Sequence, residues 1–180
     1  IHKGFEINSP TGKTIAIDNC IFEYGIKGLT KTASSSLTQL VVENTTFTNC
    51  SLGLKTNECR CNSVNVRFDN CVTGWKAEAM SGSSDFRGYV QSVDNGIDYE
   101  GGSTAHLFIY ESTFKTCNNS NTSQAILADG DFNATISCTH FEDNENDIKK
   151  IDGVLNLSGS EYSENRFASS PEVGGSCYFN

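Results

Sequence analysis

Residues 44–56 read NTTFTNCSLGLKT. Phe47 is followed by Cys50 three places on, then by Gly53-Leu54 six and seven places on. Two N-x-[ST] sequons, at Asn44 and Asn49, lie in the same stretch. The order aromatic, Cys or Asn, Gly-apolar recurs along the chain, so the stretch reads as one copy of a structural unit. The anchors are Phe22, Phe47, Phe68, Val90, Phe114, Phe141 and Tyr162. Their mean spacing is about 23 residues, a period that belongs to stacked repeat architectures.

The surroundings of the anchors carry more information than the anchors. Apolar residues fall seven and five places before the aromatic: Ile15/Ile17, Leu40/Val42, Leu107/Ile109, Ala134/Ile136 and Leu155/Leu157. Behind it come Gly28-Leu29, Gly53-Leu54, Gly74-Trp75 and Gly96-Ile97. The template is therefore Φ-x-Φ-x4-F-x2-[N/C]-x2-G-Φ. Period-two alternation marks a short strand with one buried face. The four-residue spacer is a turn, the aromatic opens a second strand, and the glycine is expected to take a positive φ before a third. Cys61 and Ser63 break the pattern in the third unit, and the fourth departs as well. A unit of three short strands cannot bury its own apolar side, but stacked on its neighbours it can. Each strand then pairs in parallel with its equivalent one coil away, at about 4.8 Å. The expectation is an all-β parallel β-helix of about seven coils, rising roughly 34 Å.

The segments IAIDNCIFEYGIKGL, LVVENTTFTNCSLGLKT and VNVRFDNCVTGWKA resemble the repeats of right-handed parallel β-helix proteins, the pectate-lyase-like superfamily. The FxxN units, Phe141 to Asn144 and Tyr162 to Asn165 (as YxxN), are similar to those of polymorphic membrane autotransporters, without their companion GGA[ILV] motif. The resemblance implies a right-handed solenoid. It also implies that an activity, where relatives have one, acts on acidic polysaccharides. The expected domain spans 1–180, with repeats over roughly 5–167 and an irregular tail at 168–180.

Composition sets the surroundings. The net charge of -9 makes nucleic acid and anionic lipid poor partners. No apolar run approaches the roughly 18 residues of a spanning helix. Eight Cys and only three His, His2, His106 and His140, favour disulfides over zinc. Sequons occur at Asn44, Asn49, Asn118, Asn121, Asn133 and Asn156. Together these features predict a secreted or cell-surface glycoprotein. The opening IHKGFEI has no apolar signal core, which reads as a mature form or a fragment.

Catalytic motifs expected of β-helix enzymes are absent: no N-T-D, D-D, G-H-G or W-x-D-H. His106 and His140 are expected to face outward in structural roles. Asp129 to Asn133 and Asp143 to Asp147 imitate the start of a calcium loop but lack its later ligands, and read as solvated acidic turns. Lys31, Lys55 and Lys76 could line one face as a basic stripe; a solvated outer face is favoured. The column of Thr46 (Ile21, Thr46, Arg67, Tyr89, Thr113, His140, Glu161) is too irregular for an ice-binding ladder. Cys50 and Cys71 share a template position in consecutive coils and form a candidate disulfide, with a reduced stacked pair as the alternative. Cys20, Cys59, Cys61, Cys117, Cys138 and Cys177 cannot be paired from sequence.

The expected function is a non-catalytic extracellular structural or adhesive module without cofactors. Its expected partners are itself, stacked end to end, or other extracellular proteins or glycans. The alternative is a carbohydrate-active or carbohydrate-binding β-helix protein.

Overall fold

The computed structural model describes residues 4–8, 12–32, 38–80, 82–118, 123–150, 154–157 and 161–162. Asn121, Cys177, His2 and the expected tail 168–180 lie outside them. The described chain runs through β1 (Phe5–Asn8), β2 (Thr14–Asp18), β3 (Ile21–Glu23), β4 (Lys27–Thr32), β5 (Gln39–Glu43) and β6 (Thr46–Thr48). It continues through β7 (Leu52–Asn57), β8 (Arg60–Asp69), β9 (Thr73–Met80), β10 (Ser83–Gln91), β11 (Asn95–Tyr110) and β12 (Thr113–Lys115). It ends with β13 (Gln124–Ser137), β14 (His140–Glu142), β15 (Ile148–Lys150), β16 (Val154–Leu157) and β17 (Glu161–Tyr162).

Every pairing in the sheet is parallel. Partners lie one repeat apart, as in Phe22↔Phe47 and Phe47↔Phe68. The molecule is an all-β parallel β-solenoid with no helix among the described residues. It has about five turns rather than the expected seven. The seven anchors each supply a rung, but the end units do so without a complete described coil around them.

The core is the inside of the coil. Leu29, Leu40, Val42, Phe47, Leu54, Phe68, Trp75, Val90, Phe114, Ile136 and Phe141 are buried there. Alternation explains the placement, because successive side chains point to opposite faces of a strand. Aromatic rings stack along the axis: Phe22 on Phe47 at 5.0 Å, Phe47 on Phe68 at 5.1 Å, and Phe114 on Phe141 at 5.2 Å. Tyr162 pairs in register with Phe141. The third unit keeps its fold with polar residues inside: Cys61 pairs with Leu40, and Ser63 with Val42. Both are buried, and the Ser63 hydroxyl donates to the carbonyl of Asp85 at 3.0 Å.

Two expectations about local geometry need correction. The template glycines do not take positive φ; that conformation falls on the turn residues, among them Asn19 (53°), Asn44 (47°), Asn49 (53°) and Asn70 (52°), and on Asn65 (54°) within β8. Asn tolerates it through its short polar side chain. The glycines are instead required by close approach. A Cβ on Gly53 would lie 2.7 Å from the carbonyl oxygen of Gly74 and 2.8 Å from Phe68. Lys31 does not line an outer face with Lys55 and Lys76. It stands one position further from its glycine, pairs with Ile7 and Thr56, and parity turns it inward. It is buried, its ammonium donates to the Thr32 carbonyl at 2.7 Å, and burial lowers its pKa.

Candidate ligand-facing surface

With the interior filled by core, chemistry is left to the outward residues of the coil and to its ends. The sequon residues Asn44 and Asn49 sit in the two turns that flank Phe47. Asn44 Nδ2 donates to Asp18 at 3.0 Å, and its oxygen accepts from Asn65 at 2.8 Å. Asn49 accepts from Asn70 at 2.5 Å and donates to Thr48 at 3.2 Å. These short asparagine ladders tie adjacent turns together. Asn44 and Asn118 are exposed, and Asn118 donates to the Asp143 carbonyl at 3.0 Å. Asn133 lies in β13, and Asn156 in β16 opposite Thr135.

Cys50 and Cys71 are free thiols, stacked in neighbouring turns and buried. The bridge expected between them is not formed. The Cys50 thiol donates to the carbonyls of Phe22 at 3.6 Å and Thr48 at 3.4 Å, and the Cys71 thiol to those of Phe47 and Asp69, each at 3.6 Å. The neighbouring Cys71 side chain draws the Cys50 pKa below that of an ordinary thiol, against burial. The Cys50 side chain, with burial, raises that of Cys71. Cys20, Cys59, Cys61, Cys117 and Cys138 are also free. Cys59 is pushed up to about 11 by burial.

Lys55 and Lys76 do face outward in register, but not as a basic stripe. Glu78 meets Lys55 at 2.6 Å and Lys76 at 3.4 Å, and Asp98 meets Lys76 at 3.5 Å. The four charges cancel. His140 approaches Glu142 at 3.6 Å, and Glu142 is held by Lys115 at 2.7 Å. Of the residues 143–147, Asn144 and Asp147 are buried and joined at 2.9 Å, so that segment is no solvated turn throughout. No cluster of three or more metal-ligating side chains occurs among the described residues.

The outward face of β10 and β11 carries a different arrangement. Alternation places His106, Phe108 and Tyr110 on one side of β11. Their rings stack, His106 on Phe108 at 4.1 Å and Phe108 on Tyr110 at 5.7 Å. The His106 ring contacts the Thr135 hydroxyl at 3.1 Å, and burial lowers its pKa. Arg87 lays its guanidinium 5.6 Å over Tyr110, and Arg67 lies 4.9 Å over Tyr89. The two arginines, with Tyr89, Glu111 and Thr113, line a shallow groove of about 550 Å³ at Gly88. Gly88 is needed there, since a Cβ would fall 2.1 Å from the Val66 carbonyl oxygen. Sequence reasoning placed His106 outward but missed Phe108, Tyr110 and Arg87. The H-x-F-x-Y alternation at 106–110 was the available signal.

The N-terminal end is a second unusual surface. Among the described residues, β1, β2 and β3 each pair on one side only, with β4, β5 and β6. Phe5 shares its column with Leu29 and Leu54 but is 55% exposed where they are fully buried. Ile21 and Tyr24 are each 71% exposed and Ile26 48%. Phe5, Ile21 and Phe22 line a hollow of about 410 Å³ on this end.

No protein-family model, curated protein or solved structure matches the chain.

Proposed function

We propose that this chain is a non-catalytic structural or adhesive module of an extracellular surface, which associates end to end through its N-terminal rung. One observation carries the reading: among the described residues, no strand covers the cross-section of the core at that end. Phe5, Ile15, Ile17 and Phe22 stand where a further rung would bury them, as the next rung buries Leu29, Leu40, Val42 and Phe47. An open strand edge beside exposed apolar residues is a template for pairing with another chain. A second copy, offering its own parallel rungs, would continue the ladder in a head-to-tail contact that does not close on itself.

The remaining features support an extracellular setting for such a module. Asn44 and Asn118, the exposed asparagines of two sequons, are places for glycans on the sides of the coil. The Cys50–Cys71 column is arranged for a bridge under oxidising conditions. Imaging native material by electron microscopy tests the reading. Rods or fibres with an axial repeat of one solenoid are expected. Uniform single particles over a wide concentration range would count against it.

A further inference from the structure

We propose that Arg87 and the ring row of β11 form a binding site for a singly charged oxyanion, carboxylate or sulfate, carried on a flat ring. The site lies on the side of the coil and does not depend on end-to-end association. Its basis is the way one stack of flat groups ends. His106, Phe108, Tyr110 and the Arg87 guanidinium follow one another, and only the last carries charge.

The two groove arginines differ in what they already hold. Arg67 is engaged: it donates to Asp69 at 3.0 Å and to Gln91 at 3.4 Å while lying on Tyr89. Arg87 makes no hydrogen bond or ion pair among the described residues; its contact is the Tyr110 ring. A guanidinium offers five N–H donors in a planar fork that matches an oxyanion two bonds at a time. Resting on a ring holds that fork in plane, so less rotamer freedom is lost when a ligand arrives. The nearest carboxylates, Asp85 beside Tyr110 and Glu111 in the groove, form no ion pair with it among the described residues.

The groove also selects. The open side of the guanidinium and the neighbouring ring row favour a flat partner, which adds stacking to the charged hydrogen bonds. Glu111 lines the same groove and repels a second negative group, which limits the ligand to one oxyanion. Gly88 keeps the floor open, because any side chain there meets the Val66 carbonyl.

Phenyl sulfate is a direct probe, with inorganic sulfate, benzoate, phenol and glucose beside it, followed by amide and arginine Nε–H chemical shifts. Phenyl sulfate and benzoate are expected to bind and to shift the Arg87 Nε–H, and phenol and glucose are not. Loss of a charged hydrogen-bonding partner weakens binding by about 10- to 100-fold, so Arg87→Gln is expected to lose phenyl sulfate by that factor. Glu111→Gln is expected to tighten it. Both sites are exposed, and unchanged amide spectra elsewhere verify the fold. Equal binding by Arg87→Gln and the parent, or none by the parent, overturns the site. Equal affinity for inorganic and phenyl sulfate overturns the role of the ring row. Glucose binding independent of Arg87 overturns the oxyanion assignment.

Discussion

Phe86 stacks on Phe68 with ring centroids 6.1 Å apart, although the residue in register with Phe68 is Val90. The ring enters the ladder from the preceding strand segment. Its own register partner is Ser63, whose small side chain leaves room for it. Phe86 then reaches Phe114 at 5.9 Å and Trp75 at 6.3 Å, and the stack continues past the rung that lacks its aromatic anchor.

Phe86→Ala is therefore expected to cost about 3–5 kcal/mol, the range for deleting a buried aromatic. Val90→Ala is expected to cost less. Urea unfolding measures both. A larger loss for Val90→Ala would mean that the rung is held by its in-register residue and not by the borrowed ring.

Gly53→Ala tests the glycine column. A methyl group there meets the Gly74 carbonyl oxygen and the Phe68 ring inside contact distance. Neither can retreat without disturbing the next turn. A loss of about 1–3 kcal/mol, typical of overpacking, is expected in the same assay. An unchanged or raised midpoint would show that the columns are further apart than described.

The period and the inward residues were legible in the sequence because burial imposes alternation on a half-buried strand. The reason for the glycines was not. A glycine kept for close approach and one kept for positive φ look alike until the neighbouring backbone is known. Lys31 was misplaced for a related reason: one residue of offset reverses the face of a strand. The site around Arg87 draws on β10 and β11, and its ring row was visible as alternation within one strand. Its arginine was not, since only the coil brings residue 87 over residue 110.

Thiolate absorbance of the reduced protein is expected to show one cysteine titrating below an ordinary thiol, assigned to Cys50 by its loss in Cys50→Ser. Cys71→Ala, which removes the thiol that holds the Cys50 thiolate, is expected to move that midpoint up toward an ordinary thiol. Stacked rungs about 4.8 Å apart lie within disulfide range. Mild oxidation with a disulfide reagent is thus expected to join Cys50 to Cys71, as read by peptide mapping. A different partner for either one would contradict the column.

Glu78 is drawn below its ordinary carboxylate pKa: burial opposes the charge, but Lys55 and Lys76 outweigh it. A carboxylate with a depressed folded pKa stabilises above its unfolded pKa, and this is lost as pH falls through the folded value. Glu78→Gln is expected to remove up to about 1 kcal/mol at neutral pH, as for a screened surface pair. It is expected to change little in acid below the folded pKa. Equal losses at both pH values would assign Glu78 a role in packing and not in charge.

Sedimentation velocity of the parent chain beside Phe5→Lys/Ile21→Lys tests end-face association most directly. Both substitutions fall on exposed residues of the open end. They also make a strongly acidic chain less negative, so general repulsion between copies falls. The parent is expected to show species that grow with concentration, and the double variant a single species of one chain. A parent that sediments as one chain at every concentration, or a variant that assembles like the parent, would contradict the proposal that the open N-terminal rung is where copies meet.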